Sequence, residues 1–380
     1  MADTFYFSRD TKVHLTDSAS AVYNIPVLDG FSFSQATNTT EVTLNEMTNA
    51  AGVSRRARQM FTDSYAPAEW SFSTYIRPFA TGGADAGGEH ASDGNGHLVE
   101  EALWNALAGN AAIGTSVSGN TGPGFTSGGA GAGTIAFGKS NSATLDTFTL
   151  HFEMGSGKAN PVIYKIANCV VNEVTVDYDI DGIATAQWTG MGSLISEDSM
   201  STPTIYEGTA ATDTNNFIRN RLTDLAVTAT AAGGSEGIQG TYSVTLTGGN
   251  FTISNNLTFL TPETLGIVNQ PLGHVTGTRS VTGSFTCYLN TPSSGLSSTD
   301  LFEDIINSTS VITNDFNLVF VIGGTNGNPR LTVTMPTCHL EVPTHSIDDL
   351  VSLETTFHAL PTSVDGTDEI TLVSFGPDVT

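Results

Sequence analysis

The sequence predicts a mainly β protein made of two tandem β-sandwich or β-barrel domains, each with one flanking α-helix. Hydrophobic residues make up 39% of the 380 residues and charged residues only 13%, and there are 40 glycines. Few charges with many hydroxyl and strand-forming side chains are typical of an ordered β protein, because disordered chains are usually rich in charge. Alternating polar and apolar stretches indicate strands, and similar stretches occur twice in the same order.

Five blocks of sequence recur in one order and predict a duplicated domain. The pairs are VYNIPVLDGFSFSQATN (22–38) with TYSVTLTGGNFTISNN (241–256), WSFSTYI (70–76) with GSFTCYL (283–289), EEALWNAL (100–107) with TDLFEDII (299–306), FTLHFEMGSGKANP (148–161) with FNLVFVIGGTNGNP (316–329), and NCVVNEVT (168–175) with TCHLEVPT (337–344). The third pair predicts one short amphipathic helix in each copy, with acidic residues in its first turn. We predict domains at 1–205 and 215–380, joined by the polar segment 208–216.

A β-hairpin is predicted at NEVTVDYDIDGIATAQWTG, where residue character alternates with period two around an Asp-Gly turn. One face of the first strand carries Val174, Val176, Tyr178 and Ile180, and the other carries acidic and hydroxyl side chains. The apolar face is predicted to pack on a core, and the polar face is predicted to contact water.

Two long Gly-rich loops, at about 78–97 and 109–137, are expected in the first copy and have no counterpart in the second. Structureless insertions of this length in a compact domain usually act in binding or assembly. We therefore expect both loops to contact other subunits.

The charge balance argues against a protein that binds nucleic acid tightly. Asp and Glu number 38 against 13 Lys and Arg, which gives a formal charge of −25. Phosphate binding needs a positive surface, so DNA near this protein would stay unbound and mobile. The basic cluster Arg55, Arg56 and Arg58 is predicted to contact an acidic neighbouring subunit instead.

Three cysteines, Cys169, Cys287 and Cys338, make a disulfide framework improbable because their number is odd. Cys169 and Cys338 occupy the same place in the two copies, and we interpret them as small buried hydrophobic residues. The sequence has no signal-peptide pattern and no apolar segment of membrane-spanning length, which predicts synthesis in a reducing cytoplasm and no membrane partner.

Two motifs resemble ligand sites, but a structural role is favoured for both. DYDIDG has the spacing of a calcium loop, yet Trp188 stands where the loop needs a bidentate Glu, so a hairpin turn is favoured. GSGK at 155–158 lacks the rest of a phosphate-binding loop, and the other copy has GTNG there, so a turn is favoured again. We predict no cofactor, no metal and no catalytic residues.

The order of these blocks resembles the major tail tube protein of long-tailed, siphovirus-type bacteriophages, and is most similar to those of chi-like flagellotropic phages. The blocks that carry the resemblance are LDGFSFSQATNTTEVTLNE, APAEWSFSTYIRP, VEEALWNALAG, DTFTLHFEM and NCVVNEVTVDYDIDGIATAQWTGMG. The resemblance implies a structural virion protein, made in the bacterial host cytoplasm, whose subunits join edge to edge into rings around a hollow lumen. Stacked rings would form the tube through which double-stranded DNA passes on ejection.

Two tube domains in one chain would let three chains form a ring with pseudo-six-fold symmetry. In such a ring we expect Glu173, Thr175, Asp177 and Asp179, with Thr344 and Asp348 of the second copy, to face the lumen. The resemblance implies that the partners are other copies of the chain, the tail terminator, the baseplate or tail tip, the tape measure protein, and DNA in transit.

Two other classes of function are kept as alternatives. The first is a virion decoration, fibre or adhesin module with tandem β-sandwich domains, which would not polymerise through its sheet edges. The second is an enzyme, for example one that cleaves a glycan with paired carboxylates, although no spacing in the sequence singles out such a pair.

Overall fold

The protein folds as a mainly β structure, as its sequence predicts. The computed structural model describes residues 5–18, 20–42, 51–52, 58–80, 96–109, 124–128, 131–137, 144–158, 160–198, 215–229, 240–261, 271–291, 295–307, 316–325, 327–364 and 366–377. Within those residues there are two α-helices, α1 Glu101–Leu107 and α2 Ser298–Asn307. Both lie where the sequence predicts a helix.

The strands are β1 Thr11–Thr16, β2 Val22–Ile25, β3 Ser32–Glu41, β4 Met60–Tyr75, β5 Pro78–Ala80, β6 Gly96–Leu98, β7 Gly124–Gly128, β8 Ala132–Ala136, β9 Phe148–Met154, β10 Val162–Asp179, β11 Thr185–Gly192, β12 Ile195–Asp198, β13 Asp224–Ala229, β14 Gly240–Ser243, β15 Thr245–Ser254, β16 Thr258–Leu260, β17 Gly273–Val275, β18 Ser280–Tyr288, β19 Leu296–Ser297, β20 Phe316–Ile322, β21 Arg330–Leu340, β22 Thr344–Ile347, β23 Val351–Ala359 and β24 Thr371–Phe375.

One antiparallel sheet runs through both halves of the chain. Its order is β3, β4, β11 and β10 from the first half, followed by β15, β18, β23 and β22 from the second. The halves meet where β10 pairs with β15, from Glu173 opposite Ser254 to Asp179 opposite Gly248. We call this eight-stranded layer the main sheet.

Each half has a second layer packed against the main sheet. In the first half its order is β2, β1, β9, β10 and β12, and in the second half β14, β13, β20, β21, β24, β8 and β7. The long strands β10 and β21 belong to this layer with their first residues and pair with main-sheet strands further on. Among the described residues the strand pairs form an open arrangement with free edges, for example at β3 and β22. The described pairs do not close into a barrel within the chain.

The core between the layers is shared by the two halves. Trp188 and Trp104 of α1 meet edge to face at 4.9 Å between ring centroids, and Trp188 Nε1 donates a hydrogen bond to Thr74 Oγ1 at 2.9 Å. Tyr178 of the first half packs against Phe320 of the second, with ring centroids 5.4 Å apart. Buried residues of both halves form one hydrophobic cluster, so the halves are packed together as well as paired through their strands.

The expectation of two structureless loops is wrong for part of each segment. Residues 78–80 and 96–98 pair as β5 and β6, while residues 81–95 lie outside the described residues. In the other segment β7 and β8 form a hairpin, and β8 pairs with β24 of the second half. The alternating strand Ala132–Ala136 pairs with the edge of a strand far along the chain. Local composition does not predict this pairing.

Alternation places Ile180 on the core face of β10, and this prediction is wrong. The strand ends at Asp179, and Ile180 lies in the turn before β11 with 44% of its surface exposed. Val174, Val176 and Tyr178 are buried as predicted. The alternation rule holds only as far as the strand extends.

Candidate functional site

The face of the main sheet that points away from the core is mostly polar, although register also places Tyr75, Met191 and Tyr288 on it. Strand register places these side chains in rows across the sheet, as in Ser71, Thr189 and Glu173 on neighbouring strands. The polar residues of this face include Ser32, Ser34, Glu69, Ser71, Ser73, Glu173, Thr175, Asp177, Gln187, Thr189, Asn250, Thr252, Thr282, Ser284, Thr286, Thr344, Ser352, Glu354, Thr356 and His358. None of them is a lysine or an arginine.

Glu173, Thr175 and Asp177 lie on this polar face at the junction of the two halves. The Oγ1 atoms of Thr175 and Thr252 are 2.9 Å apart, so a hydroxyl hydrogen bond crosses the junction. Partial burial raises the pKa of Asp177, because desolvation disfavours its charged form. Asp179 is the last residue of β10 and is exposed. The structure therefore brings these four predicted residues together along one strand.

Thr344 and Asp348, the predicted residues of the second copy, lie at the far edge of the main sheet. Thr344 is opposite Glu354 in the register of β22 and β23, which places it on the polar face. Asp348 follows β22 in the turn to β23, where Ser346 Oγ donates to its carboxylate at 3.5 Å. The two residues are near the same edge, but only Thr344 belongs to a strand.

Several acidic residues of the polar face were missed by the sequence reasoning. Glu69 of β4 and Glu354 of β23 are exposed there, and Glu341, between β21 and β22, lies beside the β23 end of this face. Glu341 accepts a hydrogen bond from Thr356 Oγ1 at 2.6 Å and lies 3.7 Å from His358 Nε2. The signal that could have found Glu69 and Glu354 is the same period-two alternation, applied to β4 and β23 as well as to β10.

The polar face offers hydroxyls, amides and carboxylates to solvent, with no arrangement for catalysis. In the part of the chain that the structure describes, no three His, Cys, Asp or Glu side chains converge on a metal position. The three cysteines are free and buried, and desolvation raises the pKa of Cys287 to about 11 and that of Cys338 to about 12. They are packing residues rather than nucleophiles, as the sequence analysis concluded for Cys169 and Cys338.

Of the three arginines predicted to contact a neighbouring subunit, the structure describes only Arg58. Arg55 and Arg56 lie outside the described residues. Arg58 is at the far end of the β3–β4 hairpin, where its guanidinium forms a two-pronged ion pair with Glu41. The neighbouring Met60 and Phe61 are more than half exposed, so this end of the hairpin projects from the body of the chain.

The main sheet ends in two edge strands, each with a strand partner on one side only. On the first-half side β3 pairs only with β4, and on the second-half side β22 pairs only with β23, among the described residues. All four residues of β22 are exposed. An exposed strand edge presents free backbone donors and acceptors, which can template pairing with another chain.

Comparison of the sequence with known proteins identifies the family of this chain. The sequence profile described as phage tail tube protein matches residues 28–369. The chain belongs to the phage tail tube protein family. It is 32% identical over 362 residues to tail tube protein pb6 of Escherichia phage T5, a match that covers 91% of this chain and 69% of that relative.

As a tail tube protein, the chain is a structural component of the virion tail and not an enzyme. The acidic polar face and the two open sheet edges are then features of a subunit that assembles. None of the helices within the described residues is long and apolar enough to span a membrane.

Proposed function

We propose that three copies of this tail tube protein form a ring with pseudo-six-fold symmetry, and that stacked rings make the tube through which double-stranded DNA leaves the phage. The observation that carries the proposal is the pairing of β10 with β15 inside the chain, combined with free edges at β3 and β22. Each chain holds eight strands of one sheet, so three chains would supply 24. A head-to-tail contact that repeats by a fixed rotation closes into a ring.

The proposal includes a duplicated domain, which the strand order of the main sheet supports. Four strands of each half follow in the same sense, with β3, β4, β11 and β10 matched by β15, β18, β23 and β22. The turn glycines Gly155 and Gly323 stand at the same position of the repeated block and both have positive φ. In this reading, β10 with β15 is the contact between successive domains, formed once within each chain.

The same contact between chains would join β22 of one copy to β3 of the next. In the repeated blocks Thr175 corresponds to Thr344, 169 residues later, and Thr252 corresponds to Ser32, 220 residues earlier. The Thr175–Thr252 hydroxyl pair therefore has a counterpart in Thr344 of one copy and Ser32 of the next. Both side chains are exposed in the single chain, and pairing would cover both free edges.

The size of such a ring suits DNA. For 24 strands about 4.8 Å apart and tilted by about 40°, the backbone diameter is roughly 50 Å. Inward side chains would narrow this, but the lumen would remain wider than a DNA duplex. We place the polar face toward the lumen, because carboxylates without cations repel phosphates and would leave DNA free to slide.

Stacking of rings is assigned to the Gly-rich segments and the projecting β3–β4 hairpin. Within the segment 109–137, β8 pairs with β24 and β7 pairs with β8, so residues 110–123 are the part left for stacking, together with 81–95. Both remaining parts lie outside the described residues. The tail terminator, the tail tip and the tape measure protein are the further partners that a tail tube requires.

Electron microscopy of the purified protein, combined with mass measurement of its rings, tests the proposed function. We expect hollow tubes or rings with six-fold appearance and a ring mass equal to three chains. Rings of six chains would overturn the pseudo-six-fold arrangement. Monodisperse single chains under conditions where other tail proteins assemble would favour a decoration module instead.

A further inference from the structure

The start of each half of the chain carries a similar short segment. FYFSRDT at 5–11 matches FIRNRLT at 217–223, with Phe, Arg and Thr in the same places. Each segment forms one 3-10 turn before the first strand of its half, at Ser8–Asp10 and at Asn220–Leu222. We call them the leading segments of the first and second halves.

Both leading segments sit in the same way on their own half. A Cβ added at Gly155 would lie 2.5 Å from the Tyr6 ring, and one added at Gly323 would lie 2.8 Å from Ile218. Each segment thus packs on a turn glycine with positive φ. In the first half, Tyr6 also donates to the Asn160 carbonyl at 3.0 Å, so the segment is fixed in position.

The second leading segment has a further contact, on the β10–β11 turn of the first half. Ala184 N donates to Ile218 O at 3.1 Å, and Asn220 N donates to Gly182 O at 3.2 Å. Arg221 Nη1 lies 3.3 Å from Asp181 Oδ1. The segment therefore joins the two halves beside the pairing of β10 with β15.

An aromatic contact completes this docking site. The ring of Phe217 meets that of Tyr75 at the end of β4 edge to face, with centroids 5.4 Å apart. Tyr288, at the end of β18, is the counterpart of Tyr75 in the repeated block WSFSTYI and GSFTCYL. A second docking site of this kind would therefore combine Tyr288 with the turn between β22 and β23.

The first leading segment and that second turn are both left open in the single chain. Phe5 is 72% exposed, and Ile347 at the end of β22 and Leu350 in the β22–β23 turn are 79% and 61% exposed. Arg9 is exposed on the segment, and Asp348 and Asp349 are exposed on the turn. The first leading segment thus presents an exposed aromatic ring and a cation, and the surface around the β22–β23 turn presents apolar side chains and two carboxylates. The two surfaces are complementary.

We infer that the first leading segment of each copy docks on the β22–β23 turn and Tyr288 of a neighbouring copy, as the second leading segment docks within the chain. Phe5 would pack on Tyr288 of the neighbour, and Arg9 would pair with Asp348 or Asp349 of the neighbour. This inference rests on the proposed ring, because it applies the contact between successive domains to successive chains. The docked segment would form a second contact between copies, beside the pairing of β22 with β3.

Cysteine cross-linking tests the inference in assembled protein. Arg9→Cys is combined with Asp348→Cys or with Asp349→Cys, and a short bismaleimide is added. Arg221→Cys with Asp181→Cys is the matched control, and it should cross-link within one chain without a gain in mass. The native cysteines are buried and should react slowly.

We expect at least one Arg9→Cys pair to give products of two and three chains, while Arg9→Cys with Asp181→Cys gives none. Three-chain rings without any such product would overturn the docking inference and leave the ring proposal standing. Absence of rings in the unmodified protein would overturn both.

A variant without a new cysteine gives an independent measurement. Phe5→Ser should shift the protein from rings toward single chains, because an apolar contact between copies is lost. Val364→Ser, which changes a fully exposed apolar residue outside both proposed contacts, should leave the ring fraction unchanged. Equal ring fractions for the two variants would contradict the inference.

Discussion

At the scale of single residues, the side chains of β10 decide which way the strand faces. Val174 and Val176 are fully buried, whereas Glu173 and Asp177 beside them lie on the polar face. This separation follows from the period of two in an extended chain and needs no knowledge of the partner strands. What the period does not give is the contact that each buried side chain makes.

Tyr178 shows this, because its contacts belong to the other half of the chain. It stands opposite Gly249, where an added Cβ would lie 2.7 Å from the tyrosine hydroxyl, and its ring packs on Phe320. Tyr178→Ala should lower the free energy of unfolding by about 3–5 kcal/mol through the cavity it leaves. The measurement is urea unfolding followed by fluorescence.

Tyr178→Phe is the control for that experiment. It removes only the hydroxyl, whose hydrogen bond to the Ser284 carbonyl is long at 3.4 Å, so a loss of no more than about 1 kcal/mol is expected. Equal stability of the Ala and Phe variants would show that packing between the halves contributes little.

His151 makes stability depend on pH. Burial lowers its pKa to about 4, and the nearby Asp198 offsets this only in part. Below the unfolded pKa of about 6.5 the unfolded chain binds a proton that the folded chain does not, so stability falls as pH drops toward 4. Between pH 7 and 4.5 this group should cost about 2–3 kcal/mol.

The test is to compare His151→Gln with the parent by thermal unfolding at both pH values. The variant should lose less stability on acidification than the parent does. His345→Gln changes an exposed histidine and should behave like the parent. An identical pH response of the parent and His151→Gln would contradict the assignment.

At the scale of elements, sheet edges decide how the chain can assemble. β24 has its edge covered by β8, and β10 has its edge covered by β15, whereas β3 and β22 stay open among the described strands. Local alternation predicts each of these strands equally well. Only the order of strands in the sheet distinguishes a covered edge from an open one.

The proposed register between chains can be tested with opposite charges. Asp at both Ser32 and Thr344 would place like charges directly across the new pair, which costs about 0.2–1 kcal/mol at each of the contacts in a ring. We expect fewer rings by analytical ultracentrifugation. Ser32→Lys with Thr344→Asp should restore them.

Ser363→Asp, in an exposed turn away from both edges, controls for the added negative charge and should leave assembly unchanged. If the two double variants assemble equally well, residues 32 and 344 do not face each other and the proposed register is wrong.

At the scale of the whole molecule, acidic and basic side chains lie on different parts of the surface. The chain carries a formal charge of −25, and its polar face has carboxylates but no lysine or arginine among the residues named for it. Described cations such as Arg9, Arg58 and Arg221 lie instead at the leading segments and the projecting hairpin. This is the distribution expected if the polar face lines the proposed channel and these cations lie at contacts between domains or copies.

Charge reversal on the polar face tests the proposed position of this face in the lumen. Glu173→Lys with Asp177→Lys should slow DNA ejection, because cations there would hold phosphates, while tubes stay intact. Ejection is measured by dye release of DNA from phage carrying the variant. Glu303→Lys with Asp224→Lys, two exposed acidic residues off this face, should eject normally.

Phage with the Glu173 and Asp177 variant that eject at the parental rate would count against a luminal position. Loss of tubes would instead show that these residues serve assembly at the junction of β10 and β15.

Local periodicity and the polarity of neighbouring residues were enough to predict the mainly β class, both helices, the alternation of β10 and the burial of Cys169 and Cys338. The tertiary structure alone decided that β10 pairs with β15, that a hairpin from a Gly-rich segment covers β24, and that Ile180 is exposed. It also decided that β3 and β22 end the sheet. Strand pairing joins residues far apart in the chain, and its choice depends on which edges other strands leave free.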